Sequence, residues 1–406
     1  MRLVVHDYSG HLGQAHLSRA LAEAGHDVVH QYCSSYVTGR GAVESRPDDP
    51  PSFAVEPVSL GGTFERYTVT RRVLQELQYG RIAHRAILRH RPDAAVLSNV
   101  PLLSLVVLTA LLRRSETPFV FWQQDVYSAA IRSAASRRLG ALGMLVGWLA
   151  DRIERRVARA SGAVIPISPS FLPQLHAWGI PSERIRVIEN WAPIDELPMH
   201  ARDNDWARDH ALHDTPVVLY SGTLGLKHDP MLLADAAEAL RDEATVVVIS
   251  QGLGREVLEE QRRARKLDNL TLLDFQPYEV LPKVLASADV LVVVLEPDAS
   301  RYSVPSKALT YLCAGRPIVA VIPADNSVAV ILRGSHSGVV VPPGDHATLI
   351  TSLRELLTNE KNRMEMGRNA RQYAEDTFDV TVAAKEFAEM LTLVVSGSAT
   401  TSRASA

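Results

Sequence analysis

The sequence has few cysteines and no long apolar run. Among its 406 residues only Cys33 and Cys313 are cysteines, and they lie in different halves of the chain. Two separated cysteines indicate no disulfide framework, which is typical of a reducing cytoplasm. No apolar run reaches the roughly 18 residues of a membrane-spanning helix, and the first residues read directly into a strand instead of the apolar region of a signal peptide. We therefore expect a cytoplasmic protein.

Lysine is also scarce, and charge is unevenly distributed. Only six of the 43 basic residues are lysines, and none precedes residue 227. Residues 1–195 carry 22 Arg against 17 Asp and Glu, whereas the rest of the chain carries 21 basic and 29 acidic residues. The net charge of −3 argues against a nucleic-acid-binding protein. The basic first half indicates a surface that faces something anionic.

Two of the six lysines stand where a loop leads into a predicted helix. Lys307 follows the buried strand pattern of residues 289–295 and opens a helix together with Ser306, and a Gly-Arg-Pro sequence at 315–317 ends that helix. A helix N-terminus offers free N–H groups and a partial positive charge, so it suits a phosphate. Lys227 stands at the second junction. Both positions predict loops that bind an anion.

Predicted strands and helices alternate along most of the chain. This alternation is typical of parallel strands with helices on both faces, and it restarts after a polar segment, residues 193–215, that we interpret as an interdomain linker. The sequence thus predicts an α/β fold of two doubly wound Rossmann-like domains facing across a cleft, with ligands at the carboxyl ends of the strands. The predicted units are domains over 1–195 and 196–372, a C-terminal helix over 373–395 that crosses back to the first domain, and a disordered tail over 396–406.

A glycine-containing loop follows the first strand of the second half. Gly222 and Gly225 let the backbone approach a ligand closely, and Lys227 then stands near the next helix, where it can reach a phosphate oxygen. The Gly-x-x-x-x-Gly-Lys-Ser/Thr order of a P-loop is absent. Taken alone, the glycine pair fits an ordinary turn between a strand and a helix equally well.

Several such motifs occur together in a fixed order. They lie at residues 222–228, 250–254, 273–277, 286–290, 304–307 and 314–317, and two more lie at 167–170 and 187–191. Together they resemble the retaining glycosyltransferases of the GT-B fold, family 4, and more narrowly the branch that adds N-acetylated amino-deoxy sugars during cell-surface polysaccharide assembly. The resemblance covers nearly the whole chain.

The resemblance implies a role for each loop. Lys227 and Lys307 match positions that hold the donor's diphosphate and act in catalysis, in the second domain, while the first domain binds the acceptor. Lys307 could instead be a solvated residue at a helix start, and Phe275 could be a core residue. The donor-binding set is Gly222, Thr223, Gly252, Phe275, Gln276, Ser306, Thr310 and Glu296.

The sequence departs from the family pattern at two positions. Many members carry two carboxylates eight residues apart, the second of which grips the ribose hydroxyls, and Tyr302 and Thr310 occupy those places here. Thr310 can form a hydrogen bond but brings no charge. Glu296 and Asp298 follow a strand and could face the sugar or simply lie in a solvated loop.

On the acceptor side, two loops follow strands of the first half. Gln124 stands where related enzymes often carry a basic residue, and the adjacent Asp125 is a candidate catalytic residue that orients the acceptor hydroxyl, or else the N-cap of a helix. Gly10 and His11 lie in the loop after the first strand, which we expect to close over the substrates. His6 and His11 are also explained as ordinary core and loop residues.

Residues 132–159 combine basic and apolar character. Seven arginines surround an apolar run that contains Met144 and Trp148, which is typical of a segment that contacts an anionic membrane surface. A long helix packed on the domain, with solvated arginines, explains the pattern equally well. The lipid-linked acceptors common in the family favour a protein that is peripheral on the inner face of the cell membrane.

The sequence thus predicts an enzyme that transfers a hexosyl or amino-sugar group, with retention, from a nucleotide-diphosphate sugar, expected to be UDP-linked, to a lipid-linked or saccharide acceptor. The only Asp-x-Asp pair, Asp203 and Asp205, lies in the polar segment and not after a predicted strand, and no His/Cys cluster occurs, so we expect no metal and no cofactor beyond the donor. Two alternatives remain at this point. They are a non-hydrolysing nucleotide-sugar epimerase of the same fold and a catalytically weak subunit that binds a nucleotide sugar.

Overall fold

The computed structural model describes residues 1–36, 43–62, 69–225, 228–295 and 304–404. The chain forms two compact units, one of Met1–Glu189 with Asp379–Ala406 and one of Asn190–Phe378. Each unit contains a six-stranded, wholly parallel sheet, so the predicted pair of doubly wound α/β units is confirmed. The unit boundaries fall a few residues from the predicted ones.

The first unit has the strand order β3-β2-β1-β4-β5-β6. Its central strands are buried on both faces and consist mainly of Val, Leu, Ala and aromatic residues, as expected for a parallel sheet covered by helices. The strands are β1 Arg2–Asp7, β2 Asp27–Cys33, β3 Phe53–Val58, β4 Ala94–Ser98, β5 Phe119–Gln123 and β6 Ala163–Pro166.

The helices of the first unit connect these strands. They are α1 Leu12–Glu23, α2 Val69–Arg89, α3 Leu102–Arg114, α4 Tyr127–Leu139, α5 Ala141–Ala160 and α6 Leu172–Ala177, and short 3-10 turns lie at Pro169–Phe171 and Ser182–Arg184.

The second unit repeats the topology with the order β12-β11-β10-β7-β8-β9. In both sheets the strand order reverses at one place, between β1 and β4 in the first and between β7 and β10 in the second. Open α/β sheets bind ligands at this switch point. The strands are β7 Val217–Ser221, β8 Thr245–Ile249, β9 Leu270–Leu273, β10 Val290–Val294, β11 Ile318–Val321 and β12 Gly338–Val341.

Helices of the second unit begin at residues that suit a helix start. The side chains of Asn326 and Asp345 accept hydrogen bonds from the first turns of two of them. The helices are α7 Asp205–Asp209, α8 Met231–Ala239, α9 Leu253–Arg265, α10 Leu281–Ala286, α11 Ser306–Cys313, α12 Ser327–Gly334, α13 His346–Thr358 and α14 Glu360–Thr377, with 3-10 turns at Ile194–Glu196 and Tyr278–Val280.

The predicted linker is wrong for most of residues 193–215. Helix α7 lies within this segment, and its Trp206 is buried in the second unit. Arg202 forms an ion pair with Asp289 at 2.8 Å, and Asn204 caps α7. The polar side chains of this segment form hydrogen bonds with the backbone and with each other inside the second unit. Its polar composition therefore does not mean that it lies outside a unit.

Residues 132–159 belong to two antiparallel helices rather than one. Helices α4 and α5 meet at Gly140, whose φ of 53° suits glycine. A Cβ at Gly143 would lie 2.1 Å from the carbonyl oxygen of Ala135, and one at Gly147 would lie 2.6 Å from Arg132 Cγ. The two glycines, four residues apart, therefore allow the helices to pack closely. We call α4 and α5 together the helical hairpin.

The C-terminal helix, α15 Val380–Ala404, belongs to the first unit. Phe387 packs edge-on against Trp122 of β5, with ring centroids 4.9 Å apart. The predicted disordered tail over 396–406 is wrong as far as residue 404, because the helix continues through these small residues once its first turns are formed.

Candidate active site

Four of the predicted donor-side residues lie at the switch point of the second sheet. Gly222 and Thr223 follow β7, and Ser306 and Lys307 open α11 after β10. Because β7 and β10 are neighbours, the two loops meet at the carboxyl edge of the sheet. The structure therefore brings these residues together, although they are more than 80 residues apart in sequence.

Lys307 lies against the ring of Tyr220. Its Nζ is 4.0 Å from the ring centroid and donates a hydrogen bond to Tyr220 Oη at 2.5 Å. Burial lowers the pKa of the Lys307 ammonium from 10.5 to about 7, because the charged form loses contact with water. Within the described ranges no carboxylate forms an ion pair with this lysine. It is a half-buried lysine whose charged form an anionic ligand would stabilise.

Gly222 makes room for that lysine. A Cβ at this position would lie 2.8 Å from Lys307 Nζ, and the backbone φ is 145°. A larger residue would therefore both strain the backbone and displace the ammonium group. This contact gives the glycine after β7 a structural reason that the glycine pair alone, which fitted an ordinary turn equally well, did not provide.

Tyr311 fixes α11 to the end of β7. Its hydroxyl accepts a hydrogen bond from Ser221 N at 2.7 Å and donates one to Ser221 O at 3.0 Å. Burial raises the pKa of Tyr311, so the phenol stays neutral and can donate. Sequence analysis missed this residue, because one buried tyrosine in an apolar helix looks like core.

The loop after β8 packs directly on the loop after β7. Gly252 has a φ of 105°, and a Cβ there would lie 3.2 Å from Leu224 O. Gly254 N donates to the same carbonyl at 3.0 Å. Two backbone segments thus lie in contact, which only glycines at these positions permit.

Phe275 and Gln276 follow β9, the outer strand of the same sheet. Phe275 lies half-exposed outside the buried core. Gln276 Oε1 accepts a hydrogen bond from Trp206 Nε1 at 3.1 Å, and its amide nitrogen donates to Asp274 O at 3.0 Å. The side chain of Gln276 is therefore held by the segment first interpreted as a linker.

The start of α11 has no side-chain cap. Pro305 is the N-cap residue, Ser306 is exposed, and Thr310 lies half-buried one turn later. Ala308 N donates to Pro305 O at 2.9 Å, so the N–H groups that a ligand would reach at this helix start are those of Ser306 and Lys307. Lys227 and Glu296, together with Asp298 and Tyr302, lie outside the described residues.

The loop after β1 is organised by Asp7. This buried carboxylate accepts hydrogen bonds from His11 N at 2.6 Å and from Asn99 Nδ2 at 2.7 Å, and burial raises its pKa. Gly10 takes a φ of 65°, and the side chain of His11 is exposed. Asp7 thus links the loops that follow β1 and β4, which sequence analysis missed.

The loop after β5 holds Gln124, which is buried, and Asp125, which is half-buried. The interpretation of Asp125 as an N-cap is wrong, because Val126 is the N-cap residue of α4 and provides no side-chain acceptor. Glu154 of α5 accepts the hydrogen bonds of the first turn instead, from Tyr127 N at 3.1 Å and Ser128 N at 2.7 Å. Sequence analysis missed Glu154 among the basic residues around it.

His6 is a core residue. It lies fully buried in β1, with Nδ1 3.2 Å from Gln31 Oε1 and Nε2 3.3 Å from Tyr79 Oη, and burial lowers its pKa to about 4. In the described part of the chain, no group of three or more His, Cys, Asp or Glu side chains is arranged to hold a metal ion.

The helical hairpin exposes an apolar face. Met144 is 61% exposed and Trp148 is 50% exposed, and the guanidinium of Arg152 lies 4.8 Å from the Trp148 ring centroid. None of the described helices is both long and apolar enough to span a membrane. The exposed apolar side chains are Leu139, Leu142, Met144, Leu145, Val146, Trp148 and Leu149.

Comparison with known proteins matches both units. Residues 13–191 match the glycosyl transferase 4-like domain, and residues 203–373 match the glycosyl transferases group 1 domain. The chain is 28% identical over 251 residues to WcaI of Escherichia coli K12, described as a glycosyl transferase of colanic acid biosynthesis. That alignment covers 60% of this chain and 60% of WcaI.

Solved structures share the fold over nearly the whole chain. Sucrose-phosphate synthase from Thermosynechococcus elongatus superposes with a TM-score of 0.75 at 16% identity, covering 98% of this chain and 100% of that one. HepE of Anabaena, crystallised with UDP-glucose, gives a TM-score of 0.70 at 16% identity, covering 97% and 99%.

The two Rossmann-like units and their switch-point loops define the architecture of a GT-B glycosyltransferase. Because the two domain models together span both units in order, the chain belongs to the glycosyltransferases with a family 4-like first domain and a group 1 second domain.

Proposed function

We propose that this protein is a retaining glycosyltransferase that moves a sugar from a UDP-linked donor to an acceptor in polysaccharide or glycolipid assembly. The family membership and the colanic acid assignment of WcaI support the reaction and its setting. The UDP-glucose bound to HepE supports the donor class.

The observation that carries the proposal is the position of Lys307. Its ammonium lies beside Gly222 and the uncapped start of α11. A lysine and the N–H groups at a helix N-terminus together stabilise the negative charge that grows on a departing diphosphate. Lys227 approaches the same group from the loop after β7 in this proposal, and Thr310 and Glu296 contact the ribose and the sugar.

The proposed mechanism needs no nucleophile from the protein. The departing phosphate accepts the proton of the acceptor hydroxyl while the cationic loop stabilises its charge. Asp125 and Gln124 orient the acceptor, and the loop that holds Gly10 and His11 covers it. Since charge stabilisation comes from lysine and N–H groups, we propose that transfer proceeds without a metal and continues in excess EDTA.

The acceptor in this proposal is lipid-linked, and the protein lies peripherally on an anionic membrane. The exposed apolar face of the helical hairpin supports this placement, since contiguous apolar surface on a protein marks an interaction site. Arg152 and Arg156 are exposed on the same hairpin, and their positive charge is complementary to an anionic surface.

A donor panel tests the proposal. Purified protein is incubated with UDP-linked sugars and membrane lipid extract, and release of UDP is measured together with NMR of the new glycosidic bond. Transfer with the anomeric configuration of the donor supports the proposal, and inversion contradicts retention. Interconversion of the donor sugar without transfer supports the epimerase alternative. Binding of UDP sugars with no turnover of any donor supports the binding subunit.

A further inference from the structure

Glu154 is a charged residue buried in the first unit. Its side chain has no exposed surface, although α5 carries exposed arginines before and after it. An ionised carboxylate in such a position is costly unless hydrogen bonds replace its water. The hydrogen bonds that replace water come from the two ends of the loop between β5 and α4.

The carboxylate holds both ends of that loop. Oε1 accepts from Gln123 Nε2 at 3.4 Å, where β5 ends, and from Tyr127 N at 3.1 Å, where α4 begins. Oε2 accepts from Ser128 N at 2.7 Å. Between these attachment points lie only three residues, Gln124, Asp125 and Val126.

A helix cap alone would not need this arrangement. A Ser, Asp or Asn at the N-cap position satisfies first-turn N–H groups from the surface, but Val126 occupies that position in α4. Here the acceptor comes from a second helix, 26 residues further along the chain, and it also binds the last residue of the strand. The interaction fixes the distance between strand and helix, and so fixes the loop.

We propose that Glu154 is a positioning residue for acceptor binding, which holds Gln124 and Asp125 in place by fastening both ends of their loop. This inference rests on the proposed function, because it assigns these two residues to the acceptor. Glu154 itself touches no substrate in this account and acts only through the loop.

Hydrogen–deuterium exchange tests the positioning without any activity. First-turn N–H groups of a helix normally lack protection, but in the wild-type protein the amides of Tyr127 and Ser128 should exchange slowly. In Glu154→Gln, whose amide offers one acceptor oxygen instead of two, exchange at 124–128 should rise about tenfold. Unprotected amides in the wild type, or unchanged exchange in the variant, would overturn the proposal.

Steady-state kinetics at pH 8 tests the link to the acceptor. Glu154→Gln should raise the acceptor KM about tenfold while the donor KM stays unchanged. The control is Asp151→Asn on the same helix, which converts the carboxylate that accepts from Trp178 Nε1 at 3.0 Å into an amide with one acceptor oxygen. This is the same chemical change as Glu154→Gln, made at a side chain whose hydrogen bond goes to Trp178 and not to the loop. The control should lower stability and leave both KM values unchanged. Equal changes in both KM values, or equal effects of the two variants, would reduce Glu154 to a structural role.

Failure of the wild type to transfer any sugar would refute the proposed function and, with it, the acceptor role of Glu154. The hydrogen–deuterium exchange result would still decide whether Glu154 positions the loop.

Discussion

At the level of single residues, a few buried polar groups with partners far away in sequence hold the loops of the candidate site. Lys307 lies against Tyr220, and Gly222 leaves the space that this contact needs. Motif order predicted Lys307 and Gly222 as donor-side residues, and their role there stays a prediction, whereas the structure shows that the two residues are neighbours. Tyr220, Tyr311 and Glu154 were not predicted, because their sequence neighbourhoods are those of core strands and surface helices, and only the fold shows which loops they hold.

The space at Gly222 yields a test with a matched control. Gly222→Ala should weaken UDP binding about as much as loss of the lysine, because the new Cβ would lie 2.8 Å from Lys307 Nζ on a backbone with a φ of 145°. Gly334→Ala, in α12 of the same unit and outside the donor loops, meets nothing within 4 Å and should bind normally. Calorimetric titration with UDP measures both. Equal affinities in the two variants would remove Gly222 from the site.

Glu154 should make stability depend on pH. Burial raises its pKa from 4.5 to about 7, so the folded state binds the proton more tightly than the unfolded state does. The contribution of Glu154 to the free energy of unfolding is therefore fully present below pH 4.5 and is lost as the pH rises to 7. The loss amounts to about 3 kcal/mol at most. The neighbouring Tyr127 has a raised pKa and stays neutral in this range.

Denaturant unfolding of wild type and Glu154→Gln at pH 5 and pH 8 measures this dependence. The free energy of unfolding of the wild type should fall relative to the variant between the two pH values. A difference that is independent of pH would mean that folding does not shift the pKa of Glu154 within this range.

At the scale of elements, the alternation of strands and helices predicted both sheets, because buried parallel strands are short apolar runs that the amphipathic helices separate. The same periodicity did not predict the structure where two helices pack closely through small residues. The close contact of α4 and α5 depends on Gly143 and Gly147, and periodicity does not distinguish such a hairpin from one long helix. The linker prediction failed for a related reason, since the buried Trp206 is surrounded in sequence by charged residues.

The helical hairpin should bind anionic vesicles at low salt. Replacing Met144 and Trp148 with Ser, or Arg152 and Arg156 with Gln, should reduce co-sedimentation with vesicles, because the first change removes apolar area and the second removes about 1 kcal/mol per charge. High salt should release the wild-type protein. Arg159 is left intact because it donates to Trp178 O at 2.7 Å.

The matched control is Leu253→Ser with Val330→Ser, which removes two apolar side chains of similar exposure from the second unit. This variant should sediment with vesicles as the wild type does. If the wild type does not bind anionic vesicles, or if the control loses binding equally, the hairpin face is not the membrane contact.

At the level of the whole molecule, the first unit contains two separate stretches of the chain, Met1–Glu189 and Asp379–Ala406. Phe387 of α15 covers Trp122 of β5, so Phe387→Ala should lower the stability of the first unit by about 3–5 kcal/mol through the cavity it leaves. UDP binding, which the account assigns to the second unit, should be unchanged at low temperature. Thermal unfolding and UDP titration on the same sample measure both effects, and a parallel loss of UDP binding would contradict this separation.

Binding of the donor's diphosphate by Lys307 can be measured by titration calorimetry of UDP at pH 8 in two buffers of different ionisation enthalpy. With a pKa of about 7 the free lysine is mostly neutral at this pH. A diphosphate favours the charged form, so binding should take up close to one proton, and affinity should fall as the pH rises from 7 to 8.5. Lys307→Met should abolish the proton uptake and weaken binding by roughly 1.5–3 kcal/mol, whereas Lys361→Met, at an exposed lysine of the same unit, should match the wild type. Binding of UDP by Lys307→Met with wild-type affinity and unchanged proton uptake would contradict the account.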